Sequence, residues 1–254
     1  MGIYITILEQ GLIYGILALG VYITYKILDF PDLSVDGTFP LGAAVTAAGI
    51  ANGLPFIGTI SPVAALFISF TVGALAGCIT GLIHVKLKVV PALRYHCHAA
   101  LYSINLRIAG KANLPIFSKE TIFSNSFLSA HVPEAASPFI VTIILFVIVM
   151  ICKVLLDAYL QTRSGYLLRA VGDNDVLVTS LAKDKGLVKI VGLAIANGFA
   201  ALAGSVYCQQ KGFFEISIGT GTMVIGLANV IIGTQLLKRV GFIRSTTAVI
   251  IGSI

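Results

Sequence analysis

Apolar residues occur along this chain in long blocks, separated by short polar breaks rich in glycine and proline. The blocks fall near Ile3–Leu28, Leu41–Gly53, Ile60–Ile83, Phe139–Leu156, Ile190–Tyr207, Thr222–Leu237 and Val240–Ile254, with a poorer one at Val89–Ile108. A helix needs roughly 17–25 apolar residues to cross a hydrocarbon core of ~30 Å. The longer blocks reach that length, so the pattern predicts an all-α, polytopic bundle of transmembrane helices. A closed barrel would need in–out alternation, which these blocks lack. The polar stretch 110–137 predicts an extramembrane loop, and Pro138 suits the first turn of the helix that follows.

Composition supports the same picture. Of 254 residues, 57% are hydrophobic and only 11% charged, with mean hydropathy +0.97, whereas soluble domains carry about 25% charged residues. The chain is read as one membrane domain, residues 1–254. A net charge of +6 invites a nucleic-acid reading, but the charges lie in short loops, as topology signals do. If the polar island Asp157–Lys189 is placed in the cytoplasm and the spans alternate from it, 13 of the 17 Lys and Arg residues fall on that side and 4 on the other. The bias fixes the orientation and puts the N-terminus outside. The first block, with Glu9 in place of a basic leader and too long an apolar run, reads as a span and not as a cleaved signal.

The island is more than a connector. Gly172-Asp173-Asn174 breaks the chain, Asp173 or Asn174 can cap a helix beginning near Asp175, and Leu177, Val178 and Leu181 then share one face. Such a stripe docks either onto a protein partner or onto the headgroups, where Lys183 and Lys185 would also fit.

Two stretches resemble each other. Phe30–Gly37 contains Asp32, Ser34 and Asp36, and Phe213–Thr220 contains Glu215 and Ser217; each precedes a glycine-rich apolar helix. The topology puts them on opposite faces, the geometry of an inverted repeat. Asp29–Gly42 is either an ordinary turn or an interrupted helix whose freed backbone lines a cavity. On the second reading, Asp32, Ser34, Asp36 and Gly37, with Glu215 and Ser217, are the candidate pathway residues.

Catalytic and metal motifs find little support. No phosphate-binding loop, His-Glu-x-x-His or Gly-x-Ser-x-Gly occurs, so ATP would have to be bound by another chain, and no cofactor is expected. His96-Cys97-His98 crowds three ligand types too closely to converge on one ion, so no metal site is expected. The scattered Cys78, Cys97, Cys152 and Cys208 read as small core residues. Arg94, His96 and His98 leave a polar defect in the poor fourth block.

The ordered set Thr162–Asp175, Ala194–Gly204 and Gly219–Gly233 resembles permease subunits of bacterial ABC importers, in the branched-chain amino acid and ribose permease superfamily. Asp32–Gly42 and Ala100–Ile108 resemble a branch linked to amino-acid uptake. The resemblance covers nearly the whole chain. It implies a multi-pass protein of the bacterial inner membrane that forms the pathway with a second permease chain, expected as a homodimer. It also implies a cytoplasmic ATP-binding subunit and an extracytoplasmic solute-binding protein. By the same resemblance, Gly172, Asp173, Asn174, Leu177, Val178 and Leu181, within a coupling region of about 161–189, engage the ATPase, and Asp32–Gly37 is the interrupted helix near the pathway. Relatives carry a smooth apolar span where this chain has Pro91–His98, and they continue through further membrane helices beyond the position of Ile254. The rival readings are an ion-coupled secondary transporter, which needs an intramembrane ionisable coupling site, and an inactive permease remnant.

Overall fold

The computed structural model describes residues 2–53, 58–87, 94–125, 137–173, 184–238 and 244–254. They form helices α1 (Gly2–Tyr22), α2 (Val35–Ala51), α3 (Pro62–Leu87), α4 (Arg94–Ala109), α5 (Ser137–Leu160), α6 (Arg163–Asp173), α7 (Lys185–Lys211), α8 (Thr222–Leu236) and α9 (Ser245–Ile251). Two three-residue strands, β1 (Asn113–Pro115) and β2 (Phe213–Glu215), pair antiparallel. The all-α expectation holds. Five helical runs are long and apolar enough to cross a membrane: Gly2–Ile27, Pro62–Lys86, Phe139–Leu160, Lys185–Lys211 and Ile216–Leu236.

Three expected spans take a different form. The block at Leu41–Gly53 begins a turn and a half earlier, as α2, and is apolar but shorter than the five. Of the poor block, the described part is α4, a helix of 16 residues that is not among the span-capable runs. Within Val240–Ile254 the described helix is only α9, seven residues long.

The bundle is built around α7. In its most apolar stretch 61% of residues are buried, against 22% in α3 and in α5, which turn large apolar side chains such as Phe67, Leu75, Phe146 and Ile151 outward. Asp184 caps α7 by accepting from the Gly186 N–H at 2.8 Å, and Gly212, left-handed at φ 76°, ends it. With lipid outside, apolar side chains gain nothing by leaving water, so close backbone approach must hold the helices together. Gly73 and Gly77 of α3 lie against Asn197, Ala201 and Leu193 of α7, while Gly42 of α2 meets Ala201 and Gly204 of α7 meets Phe39. A hydroxyl chain ties the three helices: Thr46 Oγ1 lies 2.6 Å from Ser205 Oγ and 3.0 Å from Ser69 Oγ, and Ser69 donates to the Gly42 carbonyl at 3.1 Å.

These contacts make α2 run parallel to α7, and α1 and α3 antiparallel to it. The molecule thus has two distinct ends. At the strand end, Glu9 of α1 accepts from Gln210 of α7 at 3.0 Å, and β1 meets β2 beside Lys211. At the island end, the Phe30 ring lies against His84, tilted by 34° with centroids 4.6 Å apart, and α6 packs on the start of α7.

Candidate functional site

α1 does not stop at Tyr22. It loosens into one π-helical turn, Ile23–Ile27, closed by the Leu28 N–H on the Ile23 carbonyl at 3.0 Å. Asp29 then takes φ 52°, a left-handed conformation that a short polar side chain tolerates better than most. Residues 28–34 are non-helical, and the chain reverses direction across them, since α1 enters antiparallel to α7 and α2 leaves parallel to it. The interruption is shorter than expected, because Gly37 and Pro40 lie inside α2 and not in the break. Proline without an N–H is accommodated there: it leaves the Asp36 carbonyl free of a helical partner, and Gly219 packs directly against that carbonyl.

Within the break, Asp32 (2% exposed) and Ser34 (1%) turn inward onto Asn197 (0%), near the middle of α7. Asn197 Nδ2 donates to Asp32 Oδ2 at 2.7 Å and to the Leu193 carbonyl at 3.0 Å. The Ser34 N–H reaches Asp32 Oδ1 at 3.0 Å, and the Ser34 hydroxyl lies 2.8 Å from both Asp32 oxygens. Thr38 completes the knot by donating to Asn197 Oδ1 at 2.8 Å. A carboxylate at this depth is costly unless its lone pairs are filled, and here uncharged donors fill them. This knot holds the break against α7.

Asp36, half-buried one turn away, has a different task. Its Oδ1 accepts from the Thr222 hydroxyl at 3.0 Å and from the Met223 N–H at 2.7 Å. It therefore lies in the first turn of α2 and caps the first turn of α8, where a negative charge is favoured by both helix ends. The polypeptide reaches that cap through β2, a 3-10 turn (Ile216–Gly219) and Gly221 at φ 81°. The two look-alike stretches thus start at opposite ends of the molecule, Phe30 at the island end and Phe213 at the strand end, as the topology predicts. Their inner ends, contrary to expectation, are not held apart on opposite faces: they meet at Asp36, Gly219 and Thr222.

From this junction, α2 runs to the strand end and α8 towards the island end. Asn105 of α4 covers it, donating to the Gly37 carbonyl at 3.0 Å. Ser217 and Thr220 remain exposed, and Ser217 donates to Glu215 at 2.7 Å. Glu215 and Ser217 therefore form their own pair and do not join the Asp32 knot. A separate cavity of about 400 Å³, between α1, α8 and α9, is lined by Thr6, Gln10 and Tyr14 on one α1 stripe and by Asn229 and Ser253.

In the island, residues 163–173 are helical, although a helix was expected only beyond the breaker. Thr162 caps it, its hydroxyl accepting from the Gly165 N–H at 3.3 Å, and Gly165, Leu168 and Val171 are buried on one side. Gly172 rests on the Ile27 carbonyl, and Leu168 with Leu28 packs on Gly192. Asp173 is exposed at the helix end. Asn174, Leu177, Val178 and Leu181 lie outside the described residues. Sequence reasoning missed Asn197, Thr38, Thr222 and Asn105. A lone amide within the apolar run Ile190–Tyr207 was the available signal for the first.

Residues 3–254 match the family described as branched-chain amino acid transport system / permease component. The chain belongs to that family. It is a multi-pass membrane permease component of a transport system. The permease is 44% identical over 250 residues to a tyrosine transport system permease protein of Clostridioides difficile, covering 98% of this chain and 79% of that one. It is 36% identical to an uncharacterized protein of Rickettsia prowazekii, over 93% of this chain and 78% of that one. An autoinducer 2 import system permease protein of Enterobacter sp. is 28% identical, over 80% and 55% respectively. No solved structure matches the permease.

Proposed function

We propose that this chain is the pathway-forming subunit of an ATP-driven importer in the bacterial inner membrane. Its solute is an amino acid, with an aromatic one such as tyrosine first among them. The observation that carries the reading is the junction at Asp36. The N-termini of α2 and α8 meet at the depth of the middle of α7, and beside them Ser217 and Thr220 are exposed. Exposed polar groups at that depth are expensive against lipid, so this face borders water or a protein partner. A second copy of the chain, facing it, would enclose the pathway.

Drive comes from the other end. The region 161–189 docks an ATP-binding subunit, through α6 and through Asn174, Leu177, Val178 and Leu181. A push on α6 reaches Ile27 through Gly172 and Leu28 through Leu168, and from there it is four to five residues along the chain to Asp32. The segment 110–137 faces the exterior and receives solute from a binding protein. The similarity to the tyrosine transport permease supports the solute class.

The test is reconstitution of the permease with its ATP-binding subunit and solute-binding protein in liposomes, followed by uptake of labelled L-tyrosine. Uptake that needs ATP and all three components is expected. Uptake driven by an ion gradient with no ATP-binding subunit present overturns the proposal.

A further inference from the structure

Asn105 is fully buried (0% exposed), yet only half of its amide is used. Nδ2 donates to the Gly37 carbonyl, and Oδ1 has no hydrogen-bond partner among the described residues. A buried amide oxygen left without a donor is unfavourable, and such orphans are rare enough to need a reason. Its position suggests the reason. α4 lies against both the start of α2 and the 3-10 turn Ile216–Gly219, so the orphan sits over the meeting point of the two helices, on the residue next to Asp36.

The electrostatics there point one way. Asp36 Oδ1 is filled by Thr222 and Met223, while no described residue donates to its Oδ2. Among the described residues no Lys or Arg forms a salt bridge with Asp32, Asp36 or Glu215; the ion pairs of Lys153 and Arg244 go to Asp157. The junction therefore presents acceptors and negative charge with no Lys or Arg paired to it among the described residues. What it lacks is a positively charged donor.

We infer that Asp36 and Asn105 together recognise the ammonium group of the transported solute, Oδ2 of Asp36 supplying charge and Oδ1 of Asn105 a second acceptor. This rests on the amino-acid reading above and assigns the polar end of the solute within it. It makes Asn105 a specificity residue on a helix too polar to be a lipid-facing span. It also gives the orphaned oxygen its donor in the loaded state, when the junction parts far enough to admit the solute.

Saturation-transfer NMR on the permease in nanodiscs, with no binding protein present, tests this directly. Three probes are compared: L-tyrosine, tyramine, which keeps only the ammonium, and 3-(4-hydroxyphenyl)propanoate, which keeps only the carboxylate. With the native chain, tyrosine and tyramine should bind about tenfold better than the propanoate, the size of one charge-assisted hydrogen bond. In Asn105→Leu, which keeps the volume and removes the acceptor, and in Asp36→Asn, that preference should collapse. The readout is a ratio, so a loss of folded protein lowers all three signals together and does not imitate the result. An unchanged ratio in both variants overturns the ammonium assignment while leaving the amino-acid reading intact. A native chain that binds none of the three probes overturns both.

Discussion

At the scale of single residues, the energetics concentrate on Asn197. Its amide is the donor that Asp32 Oδ2 depends on, and its oxygen is the acceptor for Thr38. Replacing it by leucine leaves a buried carboxylate short of a donor, which is worse than having no polar group there. We expect Asn197→Leu to destabilise the permease by about 3 kcal/mol, read as a lowered unfolding midpoint in nanodiscs. The double variant Asp32→Leu, Asn197→Leu removes both partners and should lose less than the single one, a coupling that a double-mutant cycle measures. If the double variant is the less stable of the two, Asp32 is not held by Asn197 in the way the distances indicate. Gly42 and Gly204 make a second residue-scale case. Each lies where a Cβ would strike the backbone of the facing helix, at Ala201 and Phe39 respectively. Gly204→Ala should therefore cost about 1–3 kcal/mol through separation of α2 from α7, while alanine at Gly110, which has open space around it but φ 71°, should cost only about 1–2 kcal/mol, set by backbone strain alone. Equal midpoints for Gly204→Ala and the native chain would argue against the close α2–α7 contact.

At the scale of elements, the π-helical turn joins the island to the knot. α6 touches it through Gly172, and the chain runs on from it through Asp29 to Asp32. Enlarging that contact with Gly172→Val should loosen α6 from Ile27 without touching any group at the junction. The expected outcome is ATP hydrolysis kept within about twofold while uptake falls at least about tenfold, a change in coupling of roughly 1.4 kcal/mol or more. Hydrolysis and uptake falling in parallel would place the defect in docking itself. Elements also show what the sequence could and could not convey. Long apolar runs made α1, α3, α5, α7 and α8 legible, since length and composition alone set them. The start of α2 was misplaced because Gly37 and Pro40 read locally as breakers, whereas both lie inside α2 in the fold, with Gly219 packed against Pro40 and the Asp36 carbonyl. α6 was missed because Gly165 and Gly172 lower helix propensity, and the packing against Leu160 and Ile27 that requires those glycines is visible only in three dimensions. Asp32, Ser34 and Asp36 were legible as polar groups in an apolar setting. Their division into a structural knot and a helix-capping junction was not, because the partners Asn197 and Met223 are more than 150 residues away.

At the scale of the whole molecule, the question is which exposed surfaces meet lipid and which meet water. α3 and α5 expose Phe67, Leu75, Phe146 and Ile151, all apolar and all within helices long and apolar enough to cross a membrane. The junction face exposes Ser217 and Thr220 beside Asp36. A lipid-facing surface of the second kind would put the exposed Thr220 hydroxyl, the Ser217–Glu215 pair and a nearby charge against hydrocarbon, so the permease should present it to an aqueous pathway shared with a second chain. Single cysteines make the distinction measurable, on a background in which Cys78, Cys97, Cys152 and Cys208 are replaced by serine or alanine. A thiolate, and hence water, is required for rapid reaction with a charged methanethiosulfonate. Cysteine at Ser217 or Thr220 should react quickly in the assembled importer, with a rate that changes on ATP addition as the pathway switches access. Cysteine at Leu75 or Ile151 should stay unreactive in both conditions. Slow, nucleotide-independent labelling at Ser217 and Thr220 would mean that this face is sealed by protein, and the pathway would then have to run elsewhere, with the Gln10–Asn229 cavity as the next polar route.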